Sequence, residues 1–570
     1  LALVTKYQGN WQAISSSDMV KNANAISKAL LDFGIQPNDK VAIITNRSRN
    51  EWRVTDYAIT QIGAINVPIY DSTSSYDIQY IFNHAEVKLC FVANEDLYQK
   101  VNKIASSIPT LDKIITFDEI KNIDTYKDIL QLGKNLNNDK ELALIKNAIV
   151  ETDLATIIYT SGTTDKPKGV MLSHKNILSN IEALESVIPV LPKNPKSLSF
   201  LPVSHIFERM MLYLYQSNGI SIYFAESIDS ISNDIKTVKP HVMTAVPRVI
   251  EKIHDKILEK SKDLGMIKRK LFDWALGIGY QYEADGKNGS KYEKNLSRAR
   301  KLVFSKWKDA LGGNIHAIFC GSSKLAPELS RIFNAAGFNL MDGYGLTETS
   351  PVISVNAPYP NRNKIGTIGK PIDNVTVKID TDNQILIKGP NVMIGYYKDP
   401  EKTKKSMKDG YFQTGDLGKL DNDGFLYITG RKKENFKTSG GKYINPEKIE
   451  IALKKSKYMD HAVVIGENEK FPALILQPNF ELLQSEIPEL KTSSYLDICA
   501  NDKVHAIIEK ELEKVNEDLG QWEKIKKFEC TPEIWSIESG HLTPTLKVKR
   551  DIIKAKYYSL FNKIYRPQKS

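Results

Sequence analysis

The chain has 570 residues, 41% hydrophobic and 26% charged, a globular composition that excludes a disordered or collagen-like polymer. A single core stops growing at about 250–300 residues, so two or more domains are expected. The net charge is +10, of which residues 541–570 supply +7 through eight Lys/Arg against Asp551, so only the tail is basic and nucleic acid is not an expected partner.

Short apolar runs predict buried strands at residues 41–44, 88–92, 154–159 and 315–319, and helical periodicity separates them at 19–33, 52–62 and 175–187. This alternation predicts an α/β fold with largely parallel sheets. Residues 250–311 are Lys-rich and amphipathic, broken by Gly and Asn near 286–289. They predict two long surface helices, a solvated hairpin being preferred to a membrane-contacting one. From about 365 to 430 the texture changes to short strands with Gly and Asp turns, a small β-rich unit. Arg431-Lys-Lys-Glu-Asn435 then reads as an interdomain linker. The expected organisation is a large layered α/β domain over 1–430 and a smaller compact α+β domain over 431–570.

Cys90, Cys320, Cys499 and Cys530 form no CxxC pair, so neither a disulfide scaffold nor a zinc site is signalled. No run of about 18 apolar residues occurs, so no membrane-spanning helix is predicted. The expected location is the cytoplasm, with peripheral contact at the inner membrane face left open.

Five motifs carry chemistry. Tyr159-Thr-Ser-Gly-Thr-Thr-Asp-Lys-Pro-Lys-Gly-Val170 follows a strand and precedes a helix that Ser173 would cap. Its density of hydroxyls (Thr160, Ser161, Thr163, Thr164), with Gly162, Lys166 and Lys168, predicts a phosphate-binding loop rather than a plain polar turn. It is not a Walker A loop, because Val170 follows Gly169. In Asp342-Gly-Tyr-Gly-Leu-Thr-Glu-Thr-Ser350, Gly343 and Gly345 let the backbone approach a flat ligand on which Tyr344 would stack, and Glu348 is a hard-oxygen Mg2+ ligand. In the third, Tyr411-Phe-Gln-Thr-Gly-Asp-Leu417 followed by Gly430-Arg431, Asp416 could accept from two ribose hydroxyls and Arg431 donate to the same sugar, while either residue taken singly reads as a turn Asp or a surface Arg. The fourth is the Gly-rich Lys437-Thr-Ser-Gly-Gly-Lys-Tyr-Ile444, and the fifth Leu542-Thr-Pro-Thr-Leu-Lys547-Val-Lys-Arg550.

In this order the motifs resemble those of the adenylate-forming enzymes, the superfamily of acyl-CoA synthetases, luciferases and nonribosomal-peptide adenylation domains, over residues 10–555. Leu201-Pro-Val-Ser-His-Ile-Phe-Glu-Arg209, the run from Ala245 to Lys256 and the ending Leu-Thr-Pro-Thr-Leu-Lys547 look like the long-chain fatty acyl-CoA synthetase branch. The resemblance implies ATP-dependent conversion of a long-chain fatty acid to acyl-AMP, then transfer to coenzyme A. By position, the 160–168 loop would hold the β- and γ-phosphates and Glu348 the Mg2+. The Gly321-Ser322-Ser323 backbone and the segment from Asp342 to Thr347, with Tyr344, would frame the adenine, and Asp416 and Arg431 the ribose. Lys547 would bridge the fatty carboxylate and the α-phosphate, and His205 would line the acyl site. A rotation hinged at Lys433 would exchange Lys547 for Gly440 and Gly441, which would line the coenzyme A channel.

Three positions depart from the superfamily pattern: Asp165 stands for the usual Gly, Lys433 for a frequent Asp, and Leu546 for Gly. The same chemistry on a medium-chain or aryl acid, loading of a carrier protein, and a non-catalytic nucleotide or lipid sensor are the alternatives. Met210, Met211, Tyr213 and Tyr215 fit either an acyl tunnel or an ordinary helix core.

Overall fold

The computed structural model describes residues 2–160, 166–227, 230–432, 434–454, 456–543 and 548–566. The chain groups into two compact units, one of residues 1–378, 386–413 and 420–426, the other of residues 379–385, 414–419 and 427–570.

In the first unit, a seven-stranded sheet runs in the order Gly395–Tyr396, Lys168–Ser173, Leu154–Thr160, Ile65–Tyr70, Lys40–Thr45, Val87–Val92, Lys113–Thr116. Its last five strands are parallel. Val41, Ala42, Ile43 and Ile44 are all fully buried, which explains why this strand reads as a continuous apolar run: both faces of a parallel sheet are covered. A nine-stranded sheet runs Lys370–Pro371, Val352–Val355, Leu340–Gly345, Ala317–Cys320, Val242–Ala245, Lys196–Ser199, Ser221–Phe224, Leu3–Tyr7, Asn10–Ile14, parallel in the middle and antiparallel at both ends.

Local chemistry sets the helix starts. Ser15 caps Ser16–Asp32 and Ser173 caps His174–Glu185, each with a reciprocal bond from the third helical residue. The phosphate-type motif does not lead straight into its helix. The strand Lys168–Ser173 intervenes and pairs antiparallel with Leu154–Thr160, so the motif is a hairpin.

The stretch 250–311 also differs from expectation. It is not two long solvated helices but Pro247–Ser261, Met266–Gly279, Gly289–Ala299, a π turn Arg300–Phe304 and Ser305–Ala310. Phe272, Leu296, Ala299, Phe304 and Trp307 are buried in one core with Ile332 and Phe333 of the helix Pro327–Ala336. The breaks fall at Gly265 and around Gly286 and Gly289, both glycines at positive φ.

A buried ionic cluster ties four elements of this unit. Asp56 on the helix Asn50–Thr60 accepts from Arg209 Nη2 at 2.5 Å and Nε at 3.2 Å, from Arg53 Nη1 at 3.2 Å, from Tyr213 OH at 2.5 Å and from Asn66 Nδ2 at 2.7 Å. Arg209 Nη1 also donates to Thr156 Oγ1 at 2.8 Å. All three charged side chains are fully buried. Burial alone would raise the Asp56 carboxyl, but the two guanidinium groups and the hydrogen bonds hold it below the usual range.

The second unit centres on Met459–Ile465 and Ala473–Pro478, paired antiparallel, with Phe528–Cys530 parallel to the latter. The helices Pro446–Leu453 and Asp502–Glu517 bury Ile449, Leu453, Val504 and Ile508 in its main core. All four cysteines are free and buried, Cys90 and Cys320 in the first unit, Cys499 and Cys530 in the second.

Removing one partner from a buried charge cluster leaves the others unpaired, at a cost of about 3–5 kcal/mol. Asp56→Ala should therefore lower the melting temperature of the first unit's transition markedly, measured by calorimetry. An unchanged transition would remove this cluster from the framework.

Candidate active site

The hairpin brings Thr160 opposite Lys168. Ser161, Gly162, Thr163, Thr164 and Asp165 lie outside the described residues. Thr160 Oγ1 is buried without a hydrogen-bond partner among the described residues.

Lys168 Nζ donates to Glu348 Oε1 at 2.7 Å and to Tyr396 OH at 2.9 Å, and Tyr396 OH donates to the same Glu348 oxygen at 2.9 Å. The ammonium lies 4.5 Å from the Tyr396 ring centroid. Tyr396 is seated by pairing with Val170 and by its N–H donating to Thr403 Oγ1 at 2.8 Å. Sequence reasoning missed Tyr396, because nothing in Gly395-Tyr-Tyr397 distinguishes it from an ordinary edge-strand tyrosine.

Glu348 lies on the 3₁₀ turn Thr347–Thr349, immediately after the strand Leu340–Gly345. Gly345 permits this turn: a Cβ there would stand 1.8 Å from Pro351 O. Burial pushes the Glu348 carboxyl upward, but the Lys168 charge and the hydrogen bonds outweigh it and hold the group below its ordinary value. It is therefore a buried, ionised carboxylate. Such a group suits Mg2+, which binds one or two carboxylates and completes its shell with phosphate and water oxygens.

Asp342 behaves oppositely. It is buried with Oδ1 unpartnered among the described residues, and desolvation lifts its carboxyl well above the usual range despite the Lys324 charge. An orphaned buried polar atom beside Gly343 and the buried Tyr344 suits a ligand that supplies a hydrogen-bond partner, as an adenine would.

Gly321, Ser322 and Ser323 follow the strand Ala317–Cys320, whose Cys320 pairs with Asp342 in register. A Cβ on Gly321 would lie 3.2 Å from Phe207 Cζ and 3.6 Å from Gly343 O. The loop after 320, the strand at 343 and the residue two places from His205 thus share one corner. His205 caps the helix Ile206–Ser217, its Nδ1 accepting from Phe207 N–H at 3.1 Å. These groups sit at the carboxyl ends of parallel strands, where open α/β sheets place ligands.

Met210 and Met211 are buried, Tyr213 OH bonds Asp56 and Tyr215 OH meets Thr244 Oγ1 at 2.9 Å, so these four side chains are built into the core. Glu208, one helical turn from His205, accepts from Ser199 Oγ at 2.5 Å, and burial pushes its carboxyl up to about 8.

In the second unit, the Arg431 guanidinium pairs with Asp416 Oδ1 at 3.0 Å. Asp416 is buried, and its N–H donates to Thr414 Oγ1 at 3.1 Å. Gly440 and Gly441 form the turn of a small hairpin whose strands are Phe436–Lys437 and Tyr443–Ile444. Gly441 has φ +75° and donates its N–H to Thr438 O at 2.9 Å. Lys433 and Lys547 lie outside the described residues. Leu542 and Val548 form an antiparallel bridge.

The AMP-binding enzyme family matches residues 1–397, and the AMP-binding enzyme C-terminal domain matches residues 435–569. Long-chain-fatty-acid–CoA ligase FadD15 of Mycobacterium bovis is 31% identical over 98% of this chain and 93% of its own. The chain belongs to the adenylate-forming enzymes, in their long-chain acyl-CoA synthetase branch. Fatty acyl-CoA synthetase A of Dictyostelium discoideum is 30% identical to this synthetase, covering 99% and 87% of the two chains. The crystal structure of the carboxylate reductase adenylation domain from Mycobacterium chelonae shares the synthetase fold at 20% identity, with a TM-score of 0.77 over 99% of this chain and 88% of that one.

The depressed Glu348 carboxyl sets a pH signature for the synthetase. The stability supplied by its pairing with Lys168 is complete above the ordinary Glu value of 4.5 and is lost as pH falls through the lower native value. Lys168→Met should therefore destabilise the first unit most near neutrality and progressively less toward acid, read as melting temperature against pH. A difference independent of pH would sink the ion-pair account.

Proposed function

We propose that this synthetase joins a long-chain fatty acid to coenzyme A in two steps. In the first, a carboxylate oxygen of the fatty acid bonds to the α-phosphorus of ATP and the bond to the β-phosphate bridging oxygen breaks, releasing pyrophosphate. In the second, the coenzyme A sulfur, its thiol proton lost, bonds to the acyl carbon. The bond between that carbon and the AMP oxygen breaks, and AMP leaves. The observation that carries this reading is the similarity, across nearly the whole chain, to relatives named as fatty acyl-CoA ligases.

The first step brings a carboxylate to a polyanion, so cations and N–H donors must offset the repulsion and fix an in-line approach. In this reading the 160–168 hairpin, with Thr160 and Lys168, supplies those donors to the phosphates. Glu348 holds Mg2+, with Tyr396 and Lys168 orienting its carboxylate. Mg2+ when bound neutralises phosphate charge and polarises the reacting phosphoryl group. Asp342 and Tyr344 hold the adenine with the Gly321-Ser322-Ser323 backbone. Asp416 accepts from the ribose hydroxyls, and Arg431, paired with it, orients that carboxylate. Lys547 bridges the two reacting anions as a mobile point charge. His205 faces the acyl carboxylate, and Gly440 and Gly441, lacking side chains, leave room for the pantetheine arm of coenzyme A. Lys433 is the hinge between the two steps.

The deciding experiment follows AMP release from ATP with palmitate, acetate or an aryl acid, with and without coenzyme A. Palmitoyl-CoA and AMP formed together only with palmitate and coenzyme A is the expected result. Turnover of acetate or the aryl acid in its place would discard the long-chain substrate. Lys547→Ala should abolish acyl-AMP formation and spare thiolysis of preformed acyl-AMP; equal loss of both would remove the bridging role. Tyr396→Phe takes away a hydrogen bond to the metal carboxylate. Such outer contacts are worth about 10–100-fold in metal affinity. The variant should therefore raise the Mn2+ concentration needed for half-saturation, titrated by electron paramagnetic resonance with ATP present, with little change in melting temperature.

A further inference from the structure

The helix His174–Glu185 buries two asparagines where its core face otherwise carries Ile177, Ile181 and Leu184. Asn180 is fully buried and Asn176 nearly so, and the two stand four residues apart on one face. A buried amide is costly unless its polar atoms are met, and an apolar residue is the default on such a face. Here both amides are met by main chain. Asn176 Oδ1 accepts from Ser173 N–H at 2.8 Å, completing the cap, and its Nδ2 donates to Pro390 O at 2.8 Å and to Val392 O at 2.9 Å. Asn180 Oδ1 accepts from Val352 N–H at 2.7 Å, and its Nδ2 donates to Val352 O at 3.4 Å and to Thr349 O at 3.5 Å.

The two loops held in this way carry the partners of Lys168. Residues 349–352 follow Glu348 directly, and residues 390–392 lead into the strand Gly395–Tyr396. Two more bonds join the loops to each other: Met393 N–H donates to Glu348 O at 2.9 Å, and Asn391 Nδ2 to Val352 O at 3.0 Å. The helix itself continues from the strand Lys168–Ser173 without an intervening residue. Lys168, Glu348 and Tyr396 thus come from three distant parts of the chain, and all three parts are fastened to the first two turns of one helix. The contacts of 2.7–2.9 Å among the three side chains depend on that registry, because a hydrogen bond weakens steeply once its geometry is lost.

We propose that Asn176 and Asn180 are positioning residues for the cation site: by fixing the loops at 349–352 and 390–392 to one helix, they set the Glu348 carboxylate against Lys168 and Tyr396. Neither amide touches the carboxylate. Asn176 acts through the placement of Tyr396, and Asn180 through the turn that bears Glu348. The inference rests on the proposed function for its purpose, since the assignment of Mg2+ to Glu348 belongs to that reading.

The experiment is a double-mutant cycle on the full chain, with Asn176→Asp and Tyr396→Phe made singly and together. Asp occupies the same third position in the capping boxes of Ser16–Asp32 and Tyr126–Asn135, so Asn176→Asp keeps the cap and removes the Nδ2 donor. The Mn2+ concentration for half-saturation is titrated by electron paramagnetic resonance with ATP present. Asn176→Asp should raise it about tenfold, in the range of outer contacts to a metal ligand, and far less in the Tyr396→Phe background, since residues that act through one another are not additive. A merely structural asparagine would lower the melting temperature equally in both backgrounds and leave the half-saturation concentration where it was; that result, or an equal rise in both backgrounds, overturns the proposal. A second cycle needs no metal. The melting-temperature loss caused by Lys168→Met near neutrality should shrink when Asn180→Leu is present, because the ion pair is then already displaced; strict additivity overturns the role of Asn180. If Asn180→Leu does not fold, Asn176→Asp takes its place in this cycle. If Tyr396→Phe itself leaves Mn2+ binding unchanged, the metal reading of Glu348 falls, and the second cycle alone decides the positioning role.

Discussion

Asp56 lies in the interior between two guanidinium groups, and the shape of the first unit depends on that arrangement. Three ionised side chains without water are costly unless each donor and acceptor is met, so the elements that bring them must settle in one register. Arg209 and Tyr213 bring the helix that His205 caps, while Thr156 brings the strand that ends in the phosphate-type hairpin. Asn66 adds the neighbouring strand. The cluster thus fixes the origins of two separate parts of the site from within the core.

The carboxyl groups of the first unit show how burial distributes charge. Glu348 is paired with Lys168 and stays ionised. Asp342 and Glu208 are equally buried but lack such a partner, and both are pushed toward the protonated form. Negative charge is retained at Glu348 and suppressed at Asp342 and Glu208. Under the proposed function, that pattern would leave charge at the carboxylate assigned to Mg2+ and lower it at Asp342, beside the proposed adenine. The same acid chemistry yields opposite charge states because one residue has an ammonium at hydrogen-bond distance.

Much of the fold was legible because parallel strands are buried on both faces and read as uninterrupted apolar runs, as at Val41 to Ile44 and Leu154 to Tyr159. The caps at Ser15 and Ser173 follow from local hydrogen bonding alone. The strand Lys168–Ser173 escaped notice because Pro167 and Gly169 mark its start as a turn. The helices after 250 look solvated in sequence because their lysines dominate the pattern, while Phe272, Phe304 and Trp307 fill a core whose other half lies at Ile332 and Phe333. Of the candidate site, the motif residues carried the signal, and the structure joins Lys168 to Glu348 and Asp416 to Arg431. Tyr396 and the link from Asp56 to Arg209 could not be read, since both depend on contacts across long separations: Tyr396 is 228 residues from Lys168, and Asp56 is 153 residues from Arg209.

The four buried thiols have a practical consequence. A thiol closed off from solvent cannot react with an alkylating reagent until the surrounding structure opens, so its modification rate reports the free energy of that opening. Cys90 and Cys320 lie in one compact unit and Cys499 and Cys530 in the other. The protein therefore carries a native pair of labels in each half. Peptide-resolved alkylation can measure the opening of the two halves independently and show which of them a bound nucleotide steadies.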